Sequence, residues 1–352
     1  MEQVRVGIIG IGAIAEATHL TFLKQHPEAL VKAVVDLSID RAKEMADKHN
    51  IPHYFKTVEE MFAKTVVDAV IICTPNQTHM QIAKKAAEHG VHVLVEKPIG
   101  TSLQEVDEYL KTAKKANTIT MVGMTHRFRN DAAIVKRYVE KKEFGELYYA
   151  KAKLFRRRGA PKGWFTNKEL AGGGAMMDIG VHALDLAWWL LGSPSVQSVS
   201  GQTTKALGAY QTKHVSTWES KNKELNAQHV FDVEDFGAAW IRFTNGIVLS
   251  LEIAWAVNGE QDDGIQLEIL GNKGGAKLAP LTIYKEEQDG LFMTSHPQHD
   301  NNDPFKAEID HFIDCIRLNK TPLITGENGY EILRMLQAIY ESSEKQKEIY
   351  FN

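Results

Sequence analysis

Cysteine is nearly absent: the 352 residues hold two, Cys73 and Cys315, each inside an apolar run. Two cysteines are too few for a disulfide framework or a thiolate-ligated metal site, so no metal is expected, and they suit a reducing, cytoplasmic setting. An excess of positive charge is missing too. Lys and Arg number 41 against 45 Asp and Glu, a formal net charge of −4 with no field to recruit nucleic acid or an anionic membrane. No apolar stretch approaches the ~20 residues of a membrane span. The best candidate, Ala183 to Leu191, is short and carries Asp185. The opening MEQVRVGIIG lacks the basic and apolar regions of a secretory leader, and none is expected. What remains is 43% apolar and 24% charged, the composition of an ordinary globular chain long enough for two domains.

The first 123 residues alternate short β-branched runs with helical patterns. Val4–Ile9, Val31–Val35, Val67–Cys73, Val91–Val95 and Ile119–Val122 read as strands. Asp40–Asn50, His79–His89 and Leu103–Ala116 read as helices between them. Nearly continuous apolar runs separated by helices are what a parallel sheet covered on both faces requires. The grammar predicts a doubly wound α/β domain over 1–123. From Met124 it changes. Leu147–Phe155 reads as a strand, a helix lies between Gly172–Gly174 and Gly192, and Ile247–Trp255 alternates apolar and small or polar residues after an Asn245-Gly246 hairpin signal. This predicts an α+β domain over 124–352 with a large, open, mostly antiparallel sheet. Two apolar stripes, Phe305 to Ile316 and Ile332 to Ile339, predict closing helices that can pack back on the first domain. Lys205–Gln228 is polar and aperiodic, which reads as an exposed excursion.

Gly10-Ile11-Gly12-Ala13-Ile14-Ala15 matches G-x-G-x-x-G/A between a strand and a helix. The pattern alone is weak. Its chemistry also needs a carboxylate about 20 positions on, at the end of the second strand, to hold the ribose hydroxyls, and Asp36 stands there. A 2′-phosphate would meet that like charge beside an uncharged Leu37, so NAD is expected over NADP, although Arg41 can reach back.

Ligands of an open α/β sheet lie at the carboxyl ends of its strands. Three loops there stand out: Thr74-Pro75-Asn76-Gln77-Thr78-His79, Glu96-Lys97-Pro98 and His126-Arg127-Phe128-Arg129. The first also reads as a turn with Thr78 as helix N-cap. In the second domain Asp178, His182 and Asp185 fall at spacings of four and three, so a helix stacks them on one face. Three readings stay open: a buried His tied to an Asp, an Asp-x3-His-x2-Asp metal site, or acid–base catalysis in which a carboxylate raises the basicity of the imidazole.

The fingerprint, the Glu96-Lys97-Pro98 loop and the G-G-G-x3-D-x-G-x-H segment from Gly172 to His182 together resemble the glucose–fructose oxidoreductase / inositol dehydrogenase (Gfo/Idh/MocA) family. The resemblance runs through Val233-Glu234-Asp235-Phe236 into the closing helices. It implies hydride transfer between NAD(P) and a hydroxyl carbon of a sugar, cyclitol or related polyol. By position it makes Lys97 the lysine between cofactor and substrate, Asp178 the orienting carboxylate and His182 the general acid/base. Thr74, Asn76, His79 and Glu96, with Pro75 in the same loop, would line the cofactor, and Arg127 and Trp164 would lie near the nicotinamide or substrate. The His126-Arg127-Phe128 run departs from the Asn-Arg-Arg-Phe-like run common in the family. Arg156-Arg157-Arg158 reads either as solvated charge or as a site for an acidic substrate.

The expected protein is thus an NAD-dependent dehydrogenase of a polyol or sugar. A glycosidase using transient oxidation, or a non-catalytic dinucleotide sensor, would share the architecture. The weakly charged outer face of the Ile247–Trp255 strand also predicts a homodimer or homotetramer.

Overall fold

The computed structural model describes residues 3–207, 230–262, 264–287 and 291–351. Six strands form the first sheet: β1 Val4–Ile9, β2 Ala29–Val35, β3 His53–Phe55, β4 Ala69–Ile72, β5 His92–Glu96 and β6 Thr120–Gly123. Their order is β3-β2-β1-β4-β5-β6, and every pairing is parallel. Val6, Ile8, Val34, Val70, Ile71 and Val95 are completely enclosed, because helices cover both faces. Side chains or left-handed residues end these helices as their sequences require. Ser38 caps Ile39–His49, Ser102 caps Leu103–Ala116, and Asn50 and Asn117 close them with φ near +50°. Thr78 does not cap the His79–Glu88 helix. Its hydroxyl donates to Pro75 O and shares a second hydrogen bond with the Thr74 hydroxyl, drawing the loop closed behind β4.

The second sheet has nine strands: β7 Leu147–Phe155, β8 Val196–Thr204, β9 Phe236–Phe243, β10 Val248–Ala254, β11 Gln266–Gly271, β12 Gly274–Leu278, β13 Thr282–Glu287, β14 Leu291–Ser295 and β15 Ile349–Tyr350. The order is β14-β13-β12-β11-β7-β10-β9-β8-β15, antiparallel throughout except for β7 beside β10. The Asn245-Gly246 signal does make a hairpin. Its loop has three residues rather than two: Gly246 N bonds Phe243 O, Phe243 N bonds Ile247 O, and Gly246 takes φ +86°. Leu249, Leu251, Ile253 and Trp255 face the core, as their alternation predicts. The opposite face carries aromatic side chains, including Tyr149 beside a Trp240 that is 40% exposed.

Both closing helices form. Pro304–Leu318 buries Ile309, Phe312 and Ile313 with Val4, Ile8 and Met121 of the first sheet. Gly326–Lys345 buries Ile332, Leu336 and Ile339 with the second sheet. The return of the first of these helices gives the first domain a wall made from the far end of the chain. The Lys205–Gln228 expectation falls mostly on residues outside those described. No helix among the described residues is long and apolar enough to cross a membrane.

Candidate active site

The fingerprint turn sits where β1 ends. Gly10 has φ +84°, and a Cβ there would stand 2.8 Å from Thr74 Cγ2 and 2.9 Å from the Cys73 carbonyl. At Gly12 a Cβ would meet no protein atom within 4 Å, so its backbone lies open to the groove. The helix begins at Ala13, and Ala15 is buried beneath it. Asp36 leaves β2 with Oδ2 accepting from Ile11 N at 3.0 Å and Oδ1 from Ser38 N at 2.9 Å. Arg41 does reach back: its Nη1 is 3.2 Å from Ile11 O and 3.6 Å from Asp36 Oδ2. Gly10, Ile11, Gly12, Ala13, Ile14, Asp36, Thr74 and Pro75 line one groove of about 420 Å³, with Trp164 and Phe165 of the second domain over it. An open glycine backbone at a helix start, with a carboxylate at the next strand end, fits a dinucleotide's pyrophosphate and ribose.

The groove runs into a second cavity of about 330 Å³, at the lower end of the range for small-molecule sites. Ile14, Cys73, Thr74, Trp164 and Phe165 line both. Lys97, at the carboxyl end of β5, extends across the domain seam. Its Nζ donates to Asp178 O at 2.7 Å and Oδ1 at 3.0 Å. Trp255 Nε1 donates to the other carboxylate oxygen at 3.0 Å. Burial alone would raise Asp178, but Lys97, Arg156 and these hydrogen bonds hold its carboxyl below the usual range.

The segment bearing Asp178 begins with a wide turn, Met176–Gly180, that leads into the Val181–Leu190 helix. Glu234 anchors its start. The Glu234 carboxylate accepts from Gly174 N, Met176 N and Tyr340 Oη at 2.8–3.0 Å. A side chain at Gly174 has no room, since its Cβ would lie 1.9 Å from Glu234 O. An acid at a helix start is favoured by the exposed N–H groups there.

The predicted stripe divides. Asp178 and His182 face the cavity, whereas Asp185 is fully enclosed and grips Arg127 in a two-pronged bond at 2.6 and 2.9 Å. Arg127 also donates to Leu323 O and Asn328 Oδ1 and does not line the cavity. It ties the β6 loop to the second domain instead of reaching the expected nicotinamide position. The expectation that a carboxylate raises the basicity of His182 is corrected as well. Asp178 is committed to Lys97 and Trp255, and His182 Nδ1 has no partner among the described residues. Burial, with Lys97, His126 and Arg156 nearby, pushes His182 well below the ordinary histidine range. His126 lies edge-on to it, 5.0 Å between ring centres, and burial takes it down to about 4. Both rings are neutral at pH 7.

The remaining predicted residues form the cavity's back wall. His79 is enclosed between Pro98 O and Thr74 O, pinning the Lys97 loop to the Thr74 loop. Asn76 Nδ2 reaches Ala171 O across the domain seam at 2.8 Å. Glu96 lines the cavity and meets His19 Nε2 at 2.6 Å; burial would raise its carboxyl, but His19 and Lys97 keep it below the usual range. Sequence reasoning missed Glu308 behind it. This carboxyl accepts from Thr125 Oγ1 at 3.3 Å, its Oε2 has no partner among the described residues, and burial and Glu96 push it far up. A signal existed: Glu308 sits at helical spacing from Phe305 and Phe312, the lone acid on an apolar stripe.

A dinucleotide groove opening onto a lysine, a carboxylate and a neutral imidazole defines an oxidoreductase site on a Rossmann scaffold. The comparisons narrow the class. Residues 4–124 match the family described as "Oxidoreductase family, NAD-binding Rossmann fold", and 136–351 match its "C-terminal alpha/beta domain". The chain belongs to the Gfo/Idh/MocA oxidoreductase family. It is 30% identical to the D-glucoside 3-dehydrogenase of Escherichia coli, over 97% of this chain and 95% of that one. It is 28% identical to the scyllo-inositol 2-dehydrogenase (NAD(+)) of Bacillus subtilis, over 92% and 89%. A levoglucosan dehydrogenase in complex with NADH and levoglucosan shares the fold with a TM-score of 0.84, at 22% identity and 99% coverage of both chains.

Glu308 generates a stability test. Above the ordinary glutamate pKa and below its raised value, the folded protein holds one proton more than the unfolded chain. Stability therefore falls by about 1.4 kcal/mol per pH unit in that window. Glu308→Gln removes that loss while keeping an acceptor for Thr125. Urea unfolding should find the variant close to wild type near pH 4.5 and increasingly the more stable toward pH 8. A difference that stays flat across this range would mean that Glu308 is ionised in the folded protein.

Proposed function

We propose that this enzyme oxidises a secondary alcohol carbon of a sugar, cyclitol or related polyol with NAD, or reduces the matching ketone, using Lys97, Asp178 and His182. The convergence of those three side chains on one cavity continuous with the dinucleotide groove carries the reading. Bound NAD supplies the hydride acceptor. Lys97 donates a hydrogen bond to the reacting oxygen and stabilises its developing charge. His182, neutral at pH 7, takes the hydroxyl proton. Asp178 and Trp255 hold Lys97 in position. Thr74, Pro75, Asn76, His79, Glu96 and Trp164 complete the cofactor surroundings. The dehydrogenase relatives support oxidation without glycoside cleavage, and the intact trio argues against a non-catalytic sensor.

Replacing His182 with Ala deletes the proton acceptor and leaves the fingerprint intact. NADH binding should persist while kcat falls about 10²- to 10⁴-fold. Lys97→Met should be comparably damaging but less than additive with it, since both act on one oxygen. Wild-type kcat/KM for oxidation should stay high through neutral pH and decline only in acid, below the usual histidine range. That limb should vanish in His182→Ala. Near-normal turnover with the wild-type profile in that variant would refute the assignment.

NAD rather than NADP is supported by Asp36, whose carboxylate is fixed by the fingerprint turn. Leu37 is 72% exposed and leaves room for a cation. Asp36→Ser with Leu37→Arg should shift the kcat/KM ratio toward NADP about 10- to 150-fold, the worth of a charge-assisted phosphate contact of about 1.5–3 kcal/mol. A wild-type preference for NADP would overturn this account.

Homo-oligomer formation through the second sheet's outer face is supported by the partly exposed Tyr149–Trp240 pair. Light scattering at micromolar concentration should give a dimer or tetramer mass, and a monomer mass would rule it out.

A further inference from the structure

We propose that the substrate carries an anionic substituent, a carboxylate or a phosphate, and that Arg156 is the residue that holds it. The inference rests on the dehydrogenase reading and adds a substrate class to it. Arg156 is the first residue past β7, where its backbone N–H bonds Ala254 O at 2.9 Å as the chain leaves the sheet. Its half-buried side chain lines the same cavity as Lys97, Asp178 and His182.

Among the described residues, the ion pairs around that cavity leave Arg156 out, while the Asp178 carboxylate feels its charge from beyond contact distance. Lys97 pairs with Asp178, and Glu96 lies against His19. His126 and His182 are neutral at pH 7. Arg156 has no carboxylate partner within 4.0 Å among the described residues. Its sole described side-chain hydrogen bond is a long one, Nη1 to Gly159 O at 3.3 Å. A guanidinium presents five donors in a planar fork, so most of its capacity is unmet by the described residues. Elsewhere the chain treats arginine differently: Arg127 and Arg129 each grip a carboxylate with two nitrogens.

An unpaired cation in a partly enclosed space is costly unless something supplies the opposite charge. The guanidinium fork matches the oxygens of a carboxylate or a phosphate. The two following residues belong to a separate surface pocket: Arg157 is exposed, and Arg158 is tied by its guanidinium to Val257 O and Asn258 Oδ1. A run that reads equally well as solvated charge thus has one member turned inward, and that member carries the inference.

The test compares three probes on one ring: glucose, glucuronate and glucose 6-phosphate. Each is measured by NAD-linked turnover and by calorimetric titration into the NADH complex. At least one anionic probe should exceed glucose in affinity and in kcat/KM by about tenfold or more, chiefly through KM, and which one does so distinguishes carboxylate from phosphate. Arg156→Gln should cut the anionic-to-neutral ratio about 10- to 100-fold with NADH binding and thermal midpoint retained. Arg156→Lys should restore part of it. If neither anionic probe binds better than glucose, or if the ratio is unmoved by Arg156→Gln, the anion site is overturned. Tight, Arg156-dependent binding of an anionic probe without any NAD reduction would uphold the site and count instead against the dehydrogenase reading.

Discussion

The site depends on one ion pair that crosses the boundary between two sheets. Lys97 belongs to the end of β5 and Asp178 to the first turn of a helix in the second domain, 81 positions apart. Neither side chain is more than 17% exposed, so the pair works in a medium of reduced dielectric where a misplaced partner would be costly. Its geometry constrains both domains at once. The lysine also donates to the Asp178 backbone carbonyl, so it reads the position of the turn as well as the charge. Asn76 to Ala171 O and Arg127 to Asp185 repeat the same device on either side, each joining a loop of the first sheet to the second domain. The cavity between them is the space these three links hold open.

Holding Asp178 in place requires a second buried acid. Glu234 fixes the glycine turn that starts the segment bearing Asp178 and His182, and the absence of a Cβ at Gly174 lets the two backbones meet. With its carboxylate facing Lys97 and Trp255, Asp178 is unavailable to His182. The histidine therefore sits among cations and apolar atoms and stays deprotonated to low pH. For the proposed reaction a weak base is adequate, because the lysine beside it would stabilise the alkoxide and its conjugate acid would be a ready donor for the reverse reaction.

How far the sequence could be read follows from the range of each signal. Strands β1, β2, β4, β5 and β6 are buried on both faces, so their apolar runs are continuous and local. The fingerprint and Asp36 lie within one strand–helix–strand unit. Strand β3 and the helix Val58–Lys64 escaped notice because His53 and Tyr54 lie at an exposed sheet edge and lack an apolar run. At the candidate site, Lys97, Asp178 and His182 stood out as motifs, but their partners did not. Nothing near Asp185 in the chain announces Arg127, and nothing near Glu96 announces His19 or Glu308. These are contacts between segments 58 to 212 residues apart, decided by packing rather than periodicity. The stripe at spacings four and three was real as spacing and misleading as a unit, because a helix side wide enough to touch both solvent cavity and core gives its members different neighbours.

The topology of the second sheet explains why the substrate end is built as it is. In an antiparallel pair the end of one strand lies beside the start of the next, so neighbouring strands cannot both deliver their following residues to the same edge. The pairing of β7 with β10 is parallel, with Phe155 opposite Ala254, and both strands therefore leave the sheet at the same place. The residues immediately beyond are Arg156 and Trp255. One lines the cavity with an unspent positive charge, and the other fastens the carboxylate that aims Lys97. Strand β9 runs antiparallel to β10, so its start, not its end, lies at this edge and brings Glu234 to the glycine turn. A single parallel pairing in an otherwise antiparallel sheet thus gathers the anchor of the Asp178–His182 segment, the support of Lys97 and Arg156 around one opening.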